Sequence, residues 1–162
     1  MGCEFLNKNA KIIKLDNITE MRVTELSLAE GISLKRELSD ILSDYARQIA
    51  VVTKTAYVFQ KCETEKEAKD LIIKEKDIVD SLKDLYGDKD IDYLMDSLMS
   101  DYDDYLTKCK ILQMSKTTNF YQNGEKMPND FDFADLPQRL VDWWEMAYNQ
   151  LNEISEFEEK NL

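Results

Sequence analysis

Carboxylates are the residues whose type and spacing could do chemistry in this chain. Eight aspartates stand between Asp84 and Asp104 against Lys89 alone, and nine acids between Asp130 and Glu159 against Arg139 alone. Residues 1–60 are balanced in charge, so residues 61–162 carry the whole net charge of −12. Asp88, Asp92, Asp96 and Asp103 recur in steps of four and seven, which return to nearly one edge of a helix. Like charges at that spacing destabilise a helix by about 0.3 kcal/mol per pair. A face made only for solubility would intersperse lysine, as residues 61–83 do. At a rise of about 1.5 Å per residue the segment presents about one charge per 4 Å of axis, against about 3.4 Å for one DNA strand. Such an edge suits a basic groove made for nucleic acid, and the same charge argues against binding nucleic acid directly.

The chemistry that is missing is as informative. The chain has no histidine, which removes Ser-His-Asp and Cys-His nucleophilic catalysis, His-ligated zinc and the usual near-neutral general base. Catalysis would have to run on carboxylates with a hard metal, on lysine or on tyrosine. Cys3, Cys62 and Cys109 are odd in number, far apart and without C-x-x-C spacing, so they read as reduced thiols, with no disulfide framework or zinc site. Gly87-Asp88-Lys89-Asp90-Ile91-Asp92 starts like a calcium loop, but has Tyr93 where the turn needs Gly and Met99 where the bidentate Glu belongs. It reads as a helix N-terminus, where acids suit the dipole.

Glu37-Leu38-Ser39-Asp40, with Asp44 one turn on, resembles part of the Mg²⁺-binding pattern of the all-α nucleotide pyrophosphohydrolases. That resemblance implies a Mg²⁺-dependent enzyme. It covers a single turn, and the partner E-x-x-E expected upstream is missing; Glu153/Glu156, with Glu159, lie at the wrong end. No catalytic residue, metal ligand or cofactor is assigned on it.

Few breakers interrupt the chain: four Gly and two Pro favour long helices. Residues 1–15 form a lead-in around Ile12-Ile13. A short first helix is expected from Asn17, capped with Glu20, to Gly31. A long amphipathic helix should follow from Ser33 to about Lys61, because its apolar residues from Leu34 to Phe59 step by three and four. Thr64 with Glu67 opens the third helix, which ends at Gly87; Asp88 is expected to cap the fourth, with its stripe from Ile91 to Leu112. An irregular stretch, 116–134, holds an Asn123-Gly124 signal for a small hairpin. The last helix opens near Asp135, with Pro137 in its first turn.

Short connections then predict an all-α fold: an antiparallel four-helix-type bundle with an extra short N-terminal helix, in a single domain spanning 1–162. No stretch approaches the roughly 20 apolar residues of a membrane span. Gly2-Cys3 starts like an acylated N-terminus, but Leu6 stands where the pattern needs Ser or Thr. A soluble, cytoplasmic protein is expected, and the Lys-, Ile-, Asn- and Asp-rich composition resembles a low-GC bacterium, its mobile elements or phage.

Trp143 and Trp144 point about 100° apart on a helix, so one can join the core while the other lies at its margin, as a core-edge aromatic or, alternatively, as a binding anchor. The leading expectation is a non-enzymatic acidic module, an inhibitor or immunity-type protein that docks on a basic, nucleic-acid-handling partner such as a nuclease. Its contact residues would be Asp88, Asp92, Asp96, Asp101, Asp103 and Asp104, with Asp142, Trp143 and Glu145. The alternatives are a self-associating structural or adaptor bundle and the pyrophosphohydrolase-like enzyme.

Overall fold

Between Thr19 and Thr24 the order Thr-Glu-Met-Arg-Val-Thr alternates polar and apolar, and this period-2 pattern decides the N-terminal structure. Met21 and Val23 are fully buried on one side of a strand, while Glu20 and Arg22 pair on the other at 3.1 Å. The computed structural model describes the backbone of residues 8–160 and the side chains of residues 8–152. The Gly2-Cys3 start and the side chains of Glu153, Glu156 and Glu159 lie outside the described residues.

In chain order the elements are β1 (Ala10–Lys14), β2 (Thr19–Thr24), α1 (Leu28–Asp44), α2 (Ala46–Gln60), α3 (Glu65–Lys74), α4 (Lys76–Tyr86), α5 (Ile91–Thr117), β3 (Thr118–Gln122), β4 (Glu125–Lys126) and α6 (Gln138–Lys160). The strands form one antiparallel sheet in the order β1-β2-β3-β4. The fold is therefore mixed α and β, and the all-α bundle expected from the sequence is overturned by this sheet.

The expected helix from Asn17 to Gly31 does not form. Asp16 Oδ1 accepts hydrogen bonds from the backbone N–H of Ile18 at 2.8 Å and Thr19 at 2.7 Å, which closes the β1–β2 turn. The real helix start is Ser27-Leu28-Ala29-Glu30. Ser27 Oγ accepts from the Glu30 N–H, and the Glu30 carboxylate accepts from the Ser27 N–H. Gly31 lies inside α1 and ends nothing.

Packing divides the chain into two compact units, Met1–Glu37 with Lys110–Leu162, and Leu38–Cys109. The sheet unit has its core between one sheet face and α6. Met21, Val23 and Phe120 meet Leu140, Trp144, Ala147 and Leu151, which recur at helical spacing. Trp144 is only 2% exposed, and its indole N–H donates to Thr117 Oγ1 at 2.9 Å. Thr117 in turn donates to the Gln113 carbonyl at 2.8 Å, so the buried polar pair is satisfied. Asn123 and Gly124, both at positive φ, close the β3–β4 hairpin as a type I′ signal requires.

The helical unit is cut more finely than its periodicity suggested. The long helix expected over 33–61 is broken at Tyr45 (φ −112°, ψ 13°) into α1 and α2. The third is broken at Glu75 (φ −86°, ψ 93°) into α3 and α4. Thr64 does cap α3, accepting from the Glu67 N–H at 3.2 Å. Its core is Val51, Ile72, Ile78, Leu82, Leu94, Met95 and Leu98.

The two candidate N-caps give a direct check. Ser27→Ala should cost about 1 kcal/mol in urea unfolding. Asn17→Ala, which removes only a turn residue, should stay within about 0.5 kcal/mol of the parent.

Candidate functional site

Helix α5 begins one turn later than Asp88. Asp90 is its cap, accepting from the Tyr93 N–H at 2.9 Å, so Asp88 sits in the preceding turn beside Lys83 at 3.3 Å. This corrects the expected capping role of Asp88 and removes it from the helical edge. Asp92, Asp96 and Asp103 do share one edge, and all three are exposed. Met99 falls between them at the same helical phase and is 44% exposed.

That edge runs along the mouth of a pocket of about 510 Å³ within the helical unit. Val52, Ala56 and Phe59 of α2 form one wall, and Met95, Met99 and Tyr102 of α5 form the other. Thr55 is buried and turns its hydroxyl onto its own helix, donating to the Val52 carbonyl at 2.9 Å, so it adds no polarity to the pocket. Glu65 and Lys69 of α3 close the rim with Asp92 and Asp96. Lys69 donates to Asp92 at 3.0 Å, and that bond holds its ammonium above the usual lysine range. The rim therefore keeps an excess of negative charge around an apolar floor.

Asp101 and Asp104, also expected on the binding face, have structural partners. Asp101 is half-buried and accepts from Tyr86 at 2.7 Å and from Gln48 at 3.4 Å. Burial first, and then this bond, push the Tyr86 phenol above its usual value of 10.0. Asp104 accepts from Tyr45, and Lys108 lies 3.3 Å away. The Tyr45 hydroxyl and then Lys108 hold the Asp104 carboxyl below its ordinary range. Lys108 also donates to Tyr45 at 2.6 Å, and the Tyr45 ring lies 5.7 Å from Tyr105. The tyrosines of this network were not singled out from the sequence.

The other three expected residues belong to the sheet unit. Asp142 accepts from Gln138 at 2.9 Å, and Glu145 lies 3.4 Å from Lys110. Trp143 is 38% exposed, beside the exposed Met146 and Ile12, while its neighbour Trp144 takes the core position. Six of the nine expected residues thus belong to the helical unit and three to the sheet unit.

Among the described residues no three acids or thiols come together as metal ligands would. Glu37 of the E-x-x-D turn lies 3.2 Å from Lys116, and Asp40 and Asp44 are exposed. Among the described residues no helix is long and apolar enough to cross a membrane. Compared with models of known protein families, with curated proteins and with solved structures, the chain matches none.

What the sequence missed is the pocket itself. Its signal was the pair Met95 and Met99 interleaved with Asp92 and Asp96, since flexible, polarisable methionines often line adaptable binding surfaces.

The Tyr86–Asp101 bond predicts a pH dependence. A phenol whose folded pKa is raised contributes stability that is fully present below about pH 10 and is lost as pH rises from there toward its folded value. Tyr86→Phe should cost about 1 kcal/mol at neutral pH. That deficit should shrink above pH 10, as followed by urea unfolding at stepped pH.

Proposed function

We propose that this chain is a non-enzymatic binding protein that docks on a basic surface of a partner protein, in the manner of an inhibitor or immunity protein. The observation that carries the reading is the placement of Asp92, Asp96 and Asp103 on the same edge as Met99, beside an apolar pocket. An apolar centre with a charged rim is the usual anatomy of a protein-recognition site. Negative potential around it would raise the rate of encounter with a basic partner and disfavour acidic ones.

The partner class is a protein that handles nucleic acid, because such proteins concentrate Lys and Arg in exposed grooves. The docking edge is short. Asp88, Asp101 and Asp104 are engaged with Lys83, Tyr86 and Tyr45, which supports a local contact over a polyanion running the length of α5.

A second reading attaches to the sheet unit. Ile12, Trp143 and Met146 leave an exposed apolar patch there, which favours self-association. Salt separates the two, since screening weakens electrostatic docking and leaves apolar contact intact.

Capture on the tagged protein at low and then high salt should retain a basic nucleic-acid enzyme only at low salt. The double variant Asp92→Lys/Asp96→Lys should lose it. Recovery of the chain's own copies alone, at both salts, would replace docking with self-association.

A further inference from the structure

The pocket on the helical unit and the acids beside it have complementary demands, and together they specify an occupant. Its floor is apolar and partly uncovered: Phe59 and Met99 are each more than a third exposed. Its volume of about 510 Å³ lies in the range that buries several apolar groups. One side is lined by α5, whose Asp92, Asp96 and Asp103 mark a row of about 16 Å, three helical turns. Lys69 already answers Asp92, whereas no ion pair forms with Asp96 or Asp103 among the described residues.

Resting on the docking reading above, we propose that the occupant is a basic amphipathic helix of the partner, lying along α5. Its apolar residues at i, i+3 and i+4 enter the pocket between α2 and α5. Its lysines or arginines, about two turns apart on the flank, face Asp96 and Asp103. A helix fits because both halves of the site repeat with helical spacing: Met95 and Met99 are one turn apart, as are Asp92 and Asp96. An extended basic peptide would match the charges but would present apolar groups alternately toward and away from the floor. Methionine walls adapt to different apolar side chains, so the site selects amphipathic pattern and charge more than a particular sequence.

The test uses the full-length protein and fluorescein-labelled synthetic peptides of about 14 residues, roughly four turns. One peptide is built of Leu and Lys in helical amphipathic order. A second has the same composition in shuffled order, and a third keeps the order with Gln in place of Lys. Fluorescence polarisation should show the ordered Leu/Lys peptide binding at least ten-fold tighter than either control. Methyl-labelled methionine NMR should show Met95 and Met99 shifting on binding. Ala56→Phe, which fills the pocket from an exposed helical position, and Asp96→Lys should each remove that preference while leaving the melting temperature within a few degrees.

Equal, salt-sensitive binding of ordered and shuffled Leu/Lys peptides would overturn the helix proposal and leave basic docking standing. Equal binding of the Gln peptide would show that charge is not recognised and would overturn it too. Absence of binding by either Leu/Lys peptide at low salt would overturn both readings. Unchanged preference in Ala56→Phe, with the variant folded, would move the contact away from the pocket.

Discussion

Helix α5 must be buried and yet carries carboxylates that cannot be. It supplies Leu94, Met95 and Leu98 to one core and Met114 to the other, so the fold cannot release it to solvent. An unpartnered carboxylate removed from water costs several kcal/mol. Each aspartate on the helix must therefore reach water or be supplied with a donor. Asp101 and Asp104 are supplied, by Tyr86 and Gln48 and by Tyr45 and Lys108. Asp92, Asp96 and Asp103 stay wet, Asp92 with Lys69 also donating to it. The division follows the helix phase: the half-buried Asp101 and the exposed but hydrogen-bonded Asp104 are three residues apart and lie on one side, and Asp92, Asp96 and Asp103 lie on another.

The open pocket follows from the same constraint. Covering Met99 and Phe59 with another element of the chain would bring that element over Asp92 and Asp96 and strip them of water. Only an element that carries its own cations could cover the floor without that cost. The exposed apolar side chains and the acidic edge are therefore one feature, produced by the requirement that these carboxylates stay solvated. The sheet unit is built on a different solution, in which Trp144 donates into Thr117 and the strands place Met21 and Val23 against α6.

Some local signals that act within four residues were legible in the sequence, whereas the Ser27–Glu30 box and the Asp90 cap, which act over the same range, were not. Thr64 with Glu67, Asn123-Gly124 and the placement of one of the two adjacent tryptophans in the core and the other at its exposed margin all rest on such short-range geometry. The N-terminal sheet was misread because Asn17 and Glu20 imitate a capping box, while Asp16 makes the turn and Met21 and Val23 alternate as a strand. The breaks at Tyr45 and Glu75 carry no Gly or Pro, so apolar periodicity ran straight through them. The acids were visible as charge, but not their partners. Lys69, Lys83, Tyr45 and Tyr86 reach them from outside α5, which no spacing within α5 reveals.

The central claim is that the aspartates of α5 divide into structural and binding sets. The most direct measurement compares Asp101→Asn with Asp96→Asn for melting temperature and for affinity toward the ordered Leu/Lys peptide. Asp101→Asn should melt lower and, below its transition, bind like the parent. Asp96→Asn should melt like the parent and bind more weakly. Equal weakening of binding by both variants, or a lower melting temperature for Asp96→Asn, would contradict the division.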